Sequence, residues 1–266
     1  MPILLLVILL GIVEGVTEYL PVSSTGHLIL ATELLGFRAD QWALFNIAIQ
    51  PGAILAILVL YWRTFLDVLV GLFHRSASAF AFVRNLAVAF VPAVVLGVAL
   101  GDYIEMLLGN AVVVAWALII GGIAILIVEK LARTHEAGGV AGVSLKQSVM
   151  IGLAQCLAMV PGVSRSGATI LGAMSFGVDR KTAAEFSFFL AVPTLTGATA
   201  LQMFKHWNEI PTGQLAWIGL GSLVSFVVAV IVVKAFISII TRYGFAPFAW
   251  YRIVAGTAAL VWLAMR

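Results

Sequence analysis

The chain has 266 residues, of which 62% are hydrophobic and 10% are charged, and its formal net charge is +3. Soluble domains carry about 25% charged residues, so this composition excludes a water-soluble surface and indicates an integral membrane protein. Because a membrane-spanning helix takes about 20 apolar residues, the length predicts an all-α bundle of roughly six or seven spans in one domain, without a soluble appendage.

The first segment is too short to span a bilayer. Residues 3–13 are apolar, no Lys or Arg precedes them, and Glu14, Glu18 and Pro21 follow soon after. A signal peptide needs a basic leader and a small-residue cleavage site, so we do not expect one here. A short apolar run that ends in acids and a proline is typical of a re-entrant helical hairpin, which enters and leaves the membrane on one side.

Six later apolar runs are suited to transmembrane helices. They lie near residues 43–62, 86–100, 110–128, 184–204, 215–240 and 247–264. Basic residues collect in segments 63–84 and 129–147 and in two later turns, and nothing resembles the basic stripe of a nucleic-acid-binding protein. Placing these basic segments in the cytoplasm satisfies the positive-inside rule if residues 3–36 and 148–177 are both re-entrant. Both termini then face outward.

The two re-entrant segments resemble each other in sequence. A shift of 141 residues aligns residues 11–30 with residues 152–171 without a gap, with identities at Gly11 and Gly152, Val22 and Val163, Ser23 and Ser164, Gly26 and Gly167, Ile29 and Ile170, and Leu30 and Leu171. Each half then holds one hairpin and three spans. Because three is odd, the second half must be inverted relative to the first, as in inverted-topology repeats.

The predicted domain organisation follows from this repeat. A single membrane domain covers residues 1–266, with the first repeat at about 1–128, a basic cytoplasmic loop at about 129–147 and the second, inverted repeat at about 148–266. One hairpin then enters from outside and the other from inside. Their Pro, Ser and Gly tips should meet near the bilayer midplane, where non-helical backbone is tolerated only beside protein or water.

Glu14 and Glu18 are the first candidates for chemistry. Their spacing of four residues places both carboxylates on one face of a helix, just before the break at Pro21. Two like charges in a poorly hydrated site cannot both ionise cheaply unless a cation lies between them, which indicates a general base or a metal site. The alternative is a pair of solvated carboxylates at the level of the lipid head groups.

The break in the first hairpin is rich in hydroxyl groups. Ser23, Ser24, Thr25 and Gly26 offer hydroxyls and successive amides at a helix start, which suits phosphate oxygens or a nucleophile, although serines also commonly cap helices. His27 follows, and its imidazole could serve proton transfer, metal binding or nucleophilic attack. The alternative for His27 is a hydrogen bond that packs two helices together.

Arg165 is the main candidate in the second hairpin, at the position that corresponds to Ser24 of the first. An arginine at membrane depth is costly unless it is paired, and its planar fork suits two phosphate oxygens. Its alternative role is a structural ion pair with Glu14 or Glu18. Ser164 and Ser166 flank it and could add hydrogen bonds to the substrate.

Two further candidates for substrate binding lie outside the hairpins. Gln50 precedes Pro51 within the first span, and Arg252 follows Tyr251 inside an apolar run. The alternative for Arg252 is a side chain that extends to the membrane interface.

The strings EGVTEYLPVSSTGHL and PGVSRSGAT resemble the undecaprenyl-diphosphate phosphatase family that is associated with bacitracin resistance. Further similarity lies in IQPGAILA at residues 49–56, EFSFFLAVPTLTGATAL at 185–201 and PFAWYRI at 247–253, so the resemblance covers nearly the whole chain. It implies removal of the terminal phosphate of undecaprenyl diphosphate at the outer, periplasmic face of the bacterial inner membrane, which recycles the lipid carrier for peptidoglycan synthesis.

The resemblance also assigns roles to residues. Glu14 and Glu18 match the acidic pair of the family, and a divalent cation, Mg²⁺ or Ca²⁺, is implied with them. Ser24 matches its hydroxyl candidate, His27 its histidine and Arg165 its essential arginine. Our sequence hypothesis is that Glu18 deprotonates Ser24 for attack on the terminal phosphorus, with His27 protonating or positioning the leaving group.

Several alternatives stay open at this point. The nucleophile could be Ser24, His27 or a metal-bound water. A lipid-phosphate transporter or flippase is the strongest alternative of another class, because inverted repeats with broken helices are characteristic of secondary transporters. The oligomeric state is also open, with a homodimer as one alternative.

Overall fold

A computed structural model describes residues 2–101, 106–107, 110–206 and 215–265. In this part of the chain the regular structure consists of α-helices and two short 3₁₀ turns. The helices are α1 (Ile3–Thr17), α2 (Ser24–Leu34), α3 (Ala39–Ala48), α4 (Gln50–Leu60), α5 (Trp62–Phe73), α6 (Ala77–Ala99), α7 (Ala111–Leu131), α8 (Leu145–Cys156), α9 (Arg165–Ser175), α10 (Arg180–Lys205), α11 (Leu215–Tyr243) and α12 (Ala246–Ala264). The predicted all-α class is confirmed.

Six segments of the described chain are long and apolar enough to cross a membrane. They are Gln41–Leu60, Ala77–Ala99, Ala111–Leu131, Arg180–Lys205, Leu215–Tyr243 and Ala246–Ala264. Each overlaps one of the six runs predicted from the sequence. The prediction of a multi-pass membrane protein with six spans is therefore confirmed.

The segment 63–84, which we predicted as a basic loop, is instead mostly helical. It holds α5 and the start of α6, joined by a tight turn at Arg75, whose φ is 55°. In α5 the exposed apolar side chains recur at the helical spacing of three and four residues, at Leu66, Leu69, Val70 and Phe73. A search for long apolar runs misses an amphipathic helix of this kind, because polar residues interrupt its sequence.

The two segments predicted as hairpins each contain two short helices around a break. In the first, α1 ends at Thr17, and the break at residues 18–23 contains Pro21. In the second, α8 ends at Cys156, and the break contains a 3₁₀ turn, Leu157–Met159, followed by Pro161. Proline lacks an N–H donor and disfavours the α conformation in the residue before it, which explains why both helices end where they do.

Equivalent residues of the two breaks have the same local geometry. Ser23 and Ser164 adopt positive φ angles of 73° and 77°, which are rare for residues other than glycine. Each is an N-cap residue, and the Oγ atoms accept hydrogen bonds from the amides of Gly26 and Gly167 respectively. Strain of this kind costs about 1–3 kcal/mol per residue and persists only where the surroundings impose it.

Helix crossings are also equivalent in the two halves. Helix α1 packs against α11, and α8 packs against α6. A Cβ atom on Gly11 would lie 2.8 Å from the carbonyl oxygen of Gly221, and one on Gly152 would lie 2.5 Å from that of Ala89. Both glycines therefore allow backbones to approach closely, which is how membrane helices gain packing energy without a hydrophobic driving force.

An aromatic cluster lies beneath the two breaks. Tyr19 and Phe188 are fully buried and meet edge to face, with ring centroids 5.4 Å apart. The hydroxyl of Tyr19 donates a hydrogen bond of 2.9 Å to the carbonyl oxygen of Ala53 on α4. The cluster continues through Phe189, Phe236, Phe245 and Phe248. It fixes the first break against α4 and α10.

Gly152→Ala should lower the free energy of unfolding by about 1–3 kcal/mol, because its new methyl group would press on the backbone of Ala89, which cannot move aside. Gly219→Ala is the matched control, since a Cβ atom there meets nothing within 4 Å. Thermal unfolding of the purified proteins in detergent measures the difference. Equal midpoints for the two variants would contradict a close crossing of α6 and α8.

Candidate active site

The two breaks touch each other. The hydroxyl of Ser166, at the start of α9, donates a 2.6 Å hydrogen bond to the carbonyl oxygen of Leu20 in the first break. The Oγ atoms of Ser166 and Ser164 are 3.0 Å apart. A side chain on Gly26 would approach the backbone of Gly162 at 3.4 Å. Helix starts of both segments are thus brought to one place in the fold.

Arg252 of α12 forms hydrogen bonds with both breaks. It is 1% exposed, and its guanidinium donates five hydrogen bonds of 2.9–3.2 Å, which go to the carbonyl oxygens of Pro21, Ala117, Leu118, Gly162 and Val163. A guanidinium has five N–H groups, so all of its donors are used. The guanidinium lies against α7 because Gly121 has no side chain, and a Cβ atom there would collide with Nη2.

Glu18 forms the centre of the polar contacts between the two breaks. Its Oε1 atom lies 3.0 Å from Nη2 of Arg165, and its Oε2 atom accepts a short hydrogen bond from the hydroxyl of Ser24. Glu18 is 5% exposed and Ser24 is 8% exposed. Glu18 thus links the hydroxyl of Ser24 to the guanidinium of Arg165 and holds that hydroxyl in place.

The guanidinium of Arg165 has further neighbours. Its Nη1 atom donates to the carbonyl oxygen of Ser187 at 2.7 Å, and its central carbon lies 5.7 Å from the ring centroid of Tyr19. Its Nε atom is buried and has no hydrogen-bond partner in the described part of the chain. The side chain as a whole is 11% exposed and lines the cavity described next, so part of it can contact an incoming oxygen.

A cavity of about 140 Å³ lies beside these groups. Seven residues predicted from the sequence line it, namely Glu18, Ser23, Ser24, Thr25, Gln50, Ser164 and Arg165. Met159, Pro161 and Leu195 supply apolar wall. The cavity thus combines hydroxyls, an amide, an arginine and a carboxylate with apolar surface, a composition suited to a polar head group on an apolar chain.

Glu14 lies deeper than Glu18. It is fully buried, and neither carboxylate oxygen has a hydrogen-bond partner among the described residues. An isolated carboxylate is very costly to bury, so a proton or a cation must neutralise it. The alternative of two solvated carboxylates at the head-group level does not fit this burial.

The structure offers a partial site for a divalent cation. No group of three or more His, Cys, Asp and Glu side chains is close enough to hold a metal ion within the described ranges. Glu14 and Glu18 nevertheless fit an ion such as Mg²⁺, which often binds one or two carboxylates and takes its other ligands from phosphates and water. The unpartnered oxygens of Glu14 are the observation that favours this fit.

His27 is held away from the nucleophile position. Its Nδ1 atom lies 2.8 Å from the carbonyl oxygen of Ser23, so this nitrogen carries the proton. Its Nε2 atom lies 2.7 Å from the hydroxyl of Tyr251, and the two rings stack. Both ring nitrogens therefore have partners, one in the first break and one on α12, and neither partner is Ser24 or Arg165.

The predicted residues thus divide into four groups. The seven cavity-lining residues are brought together, Gly26 and Ser166 support the breaks from behind, and Glu14 lies buried nearby. His27 and Arg252 lie apart, and the full use of Arg252 by backbone carbonyls gives no support to its predicted role in substrate binding. The sequence reasoning missed Tyr19, Ser187 and Tyr251. Of these three, only Tyr19 could have been suspected from the sequence, because it directly follows Glu18.

Known proteins resemble this chain along its length. A family model described as bacitracin resistance protein BacA matches residues 7–258. A protein from Novosphingobium aromaticivorans named undecaprenyl-diphosphatase is 59% identical over 263 residues, which cover 97% of both chains. Proteins of the same name from Rhizorhabdus wittichii and Sphingopyxis alaskensis are 54% and 52% identical, over 99% and 98% of this chain and 98% of each relative.

Arg252→Lys should lower the free energy of unfolding by about 3–6 kcal/mol, because lysine can replace at most three of five charge-assisted hydrogen bonds. Arg165→Lys should lower it by less, since a cation stays beside Glu18. Thermal unfolding in detergent compares the two variants. An Arg252→Lys protein as stable as the wild type would show that Arg252 does not hold the two breaks together.

Proposed function

The chain belongs to the family of the bacitracin resistance protein BacA, and we propose that it hydrolyses undecaprenyl diphosphate to undecaprenyl phosphate and inorganic phosphate. The names of its relatives, which match over almost the full length, support this activity. The observation that carries it in the structure is the chain of contacts from Ser24 through Glu18 to Arg165 beside the cavity.

Arg165 binds the diphosphate in this proposal. Its fork is suited to phosphate oxygens, and its partly exposed side chain lines the cavity. The amide of Thr25 in the first turn of α2 adds a donor at the positive end of a helix dipole. When the substrate engages Arg165, the diphosphate and Glu18 share the guanidinium, and Glu18 stays hydrogen-bonded to Ser24.

Ser24 is the nucleophile that this geometry favours. Its hydroxyl already donates to Glu18, so the proton has an acceptor when the Oγ atom attacks the terminal phosphorus. The bond from that phosphorus to the bridging oxygen breaks, and undecaprenyl phosphate leaves as an anion that needs no proton. A phosphoserine and a protonated Glu18 result.

Water completes the cycle. Glu18 loses its proton to the solvent, and the same carboxylate then accepts a proton from a water molecule that attacks the phosphoserine. The bond between phosphorus and Oγ breaks, inorganic phosphate is released and Ser24 recovers its proton. No ATP enters this scheme, and every protein group in it comes from one copy of the chain.

His27 serves in this proposal to hold the first break. Its Nδ1–H group is bonded to the carbonyl oxygen of Ser23, the residue before the nucleophile, and Tyr251 donates to its other nitrogen. Attack by His27 on phosphorus would require Nε2 to give up Tyr251. This is why we favour Ser24 over His27.

A divalent cation, Mg²⁺ or Ca²⁺, belongs to the proposal as the ion that Glu14 and Glu18 would hold. It would supply positive charge to the phosphate oxygens and neutralise Glu14, whose buried oxygens otherwise have no partner.

We also propose that the two segments around the breaks are re-entrant hairpins in an inverted repeat. The paired φ angles of Ser23 and Ser164 and the paired crossings at Gly11 and Gly152 support a repeat. Helix α1 has 15 residues and α8 has 12, so both are shorter than the roughly 17–25 residues of a transmembrane helix. With basic loops in the cytoplasm, the first hairpin enters from outside.

The proposal includes a cellular setting. The protein lies in the bacterial inner membrane, and its cavity opens to the periplasmic face, where the first hairpin enters. Hydrolysis there returns the lipid carrier to peptidoglycan synthesis, which gives the protein a part in cell-wall biogenesis and in resistance to bacitracin.

Purified protein in detergent should release phosphate from undecaprenyl diphosphate without any ion gradient, which a transporter would not do. Ser24→Ala should reduce kcat by at least about 100-fold, and rapid quenching of the wild type should place phosphate on Ser24 by mass spectrometry. Phosphate on His27 would overturn our choice of nucleophile.

The cation is tested by the same phosphate-release assay after chelation and after Mg²⁺ or Ca²⁺ is restored. Full activity without a divalent ion would remove the cation from the proposal.

Cysteine labelling tests the hairpins. In a Cys156→Ser background, single cysteines at exposed positions 2 and 34 bracket the first hairpin, and those at positions 146 and 175 bracket the second. A membrane-impermeant thiol reagent applied to spheroplasts should label the first two positions, and the last two only after permeabilisation. Labelling of 2 and 34 from opposite sides would show that α1 and α2 span the membrane.

A further inference from the structure

The direction of the Arg165 fork is set by helix α10, which lies outside both breaks. The Nη1 atom of Arg165 donates to the carbonyl oxygen of Ser187 at 2.7 Å and lies 3.3 Å from its hydroxyl oxygen. Ser187 is fully buried in the middle of the described bundle. One residue of α10 thus offers two acceptors to one end of the guanidinium, while Glu18 accepts from the other end.

A second hydroxyl completes this arrangement. Thr169 lies one turn after Arg165 on α9, and its Oγ1 atom is 2.8 Å from the Oγ atom of Ser187. The same Oγ1 atom lies 2.9 Å from the carbonyl oxygen of Arg165 and 3.1 Å from that of Ser166. Thr169 is fully buried as well, so these contacts are not shared with solvent.

The number of protons on the two hydroxyls limits which hydrogen bonds this network can form. A hydroxyl has one proton to donate and can accept two hydrogen bonds. The single proton of Thr169 has three acceptors, namely the carbonyl oxygens of Arg165 and Ser166 and the Oγ atom of Ser187, which is the nearest of the three. When the proton points to Ser187, the Oγ atom accepts from both Thr169 and Arg165, and one of its lone pairs is directed toward the guanidinium. Without Thr169, the Ser187 hydroxyl is free to rotate and to donate elsewhere.

We propose that Thr169 and Ser187 form a pair of positioning residues that holds the Arg165 fork in the orientation that binds the diphosphate. This inference rests on the proposed function. Within the site the pair contacts Arg165 and the carbonyl oxygen of Ser166, and neither residue lines the cavity. Its effect is to fix Nη1 on α10, so that Nη2 meets Glu18 and the fork keeps one orientation beside the cavity.

Removal of either hydroxyl should weaken substrate binding. Thr169→Val keeps the shape of the side chain, and Ser187→Ala keeps the backbone acceptor. Each should lower kcat/KM for undecaprenyl diphosphate about tenfold, mainly through KM, because Arg165 holds the substrate in both the ground state and the transition state. Thr169→Ser keeps the hydroxyl and should stay within about twofold of the wild type.

A comparison of the losses in kcat/KM in the single and double variants distinguishes a positioning role from a loss of packing. Because both hydroxyls act on one guanidinium, the double variant should also lose about tenfold, whereas independent effects would multiply to about 100-fold. Thr32→Val is the matched control, since Thr32 is fully buried and donates only to the carbonyl oxygen of Leu28. It should leave KM unchanged.

The outcomes distinguish this inference from the function on which it rests. Wild-type protein that releases no phosphate would overturn both. Two outcomes with an active wild type would overturn only the positioning role. In one, Thr169→Val and Ser187→Ala keep the wild-type KM. In the other, the double variant loses the product of the two single losses in kcat/KM. If Thr169→Val fails to fold, Ser187→Ala together with Thr169→Ser still decides the question.

Discussion

Non-helical backbone inside a membrane bundle must find its hydrogen bonds within the protein, and this constraint shapes the whole structure. Both breaks leave carbonyl groups without helical partners. Arg252 satisfies three of them, at Pro21, Gly162 and Val163, and Ser166 satisfies another at Leu20. Both breaks therefore depend on Arg252 of α12, which provides donors for carbonyl groups in each of them.

The same arrangement explains why the two breaks contribute different chemistry. Ser24 and Arg165 occupy equivalent positions, one residue after the serines with positive φ. Because the helix starts lie side by side, an arginine on one side reaches the carboxylate that holds the hydroxyl on the other. A second serine at position 165 would leave Glu18 buried without its cationic partner, and a second arginine at position 24 would remove the proposed nucleophile.

Much of the fold could be predicted because composition and apolar length are local properties of the sequence. The spans and the break positions at Pro21 and Pro161 belong to this class. Helix α5 was missed because its apolar face is interrupted by polar residues. The partners of His27 and Arg252 could not be predicted, since they lie 224 and up to 231 residues away in the chain, and a backbone carbonyl leaves no mark in a sequence. The same holds for Ser187, which acts partly through its main chain.

The glycine crossings determine which part of a lipid the protein can recognise. Helices α1 and α11, and likewise α6 and α8, approach so closely at Gly11 and Gly152 that even a methyl group meets backbone atoms. No isoprenoid chain fits between such helices, and the cavity of about 140 Å³ has room for little more than a head group. A polyprenyl tail therefore cannot pass through either crossing. These crossings direct the long apolar part of such a lipid to other faces of the bundle, whereas the head group is the part that the cavity can enclose.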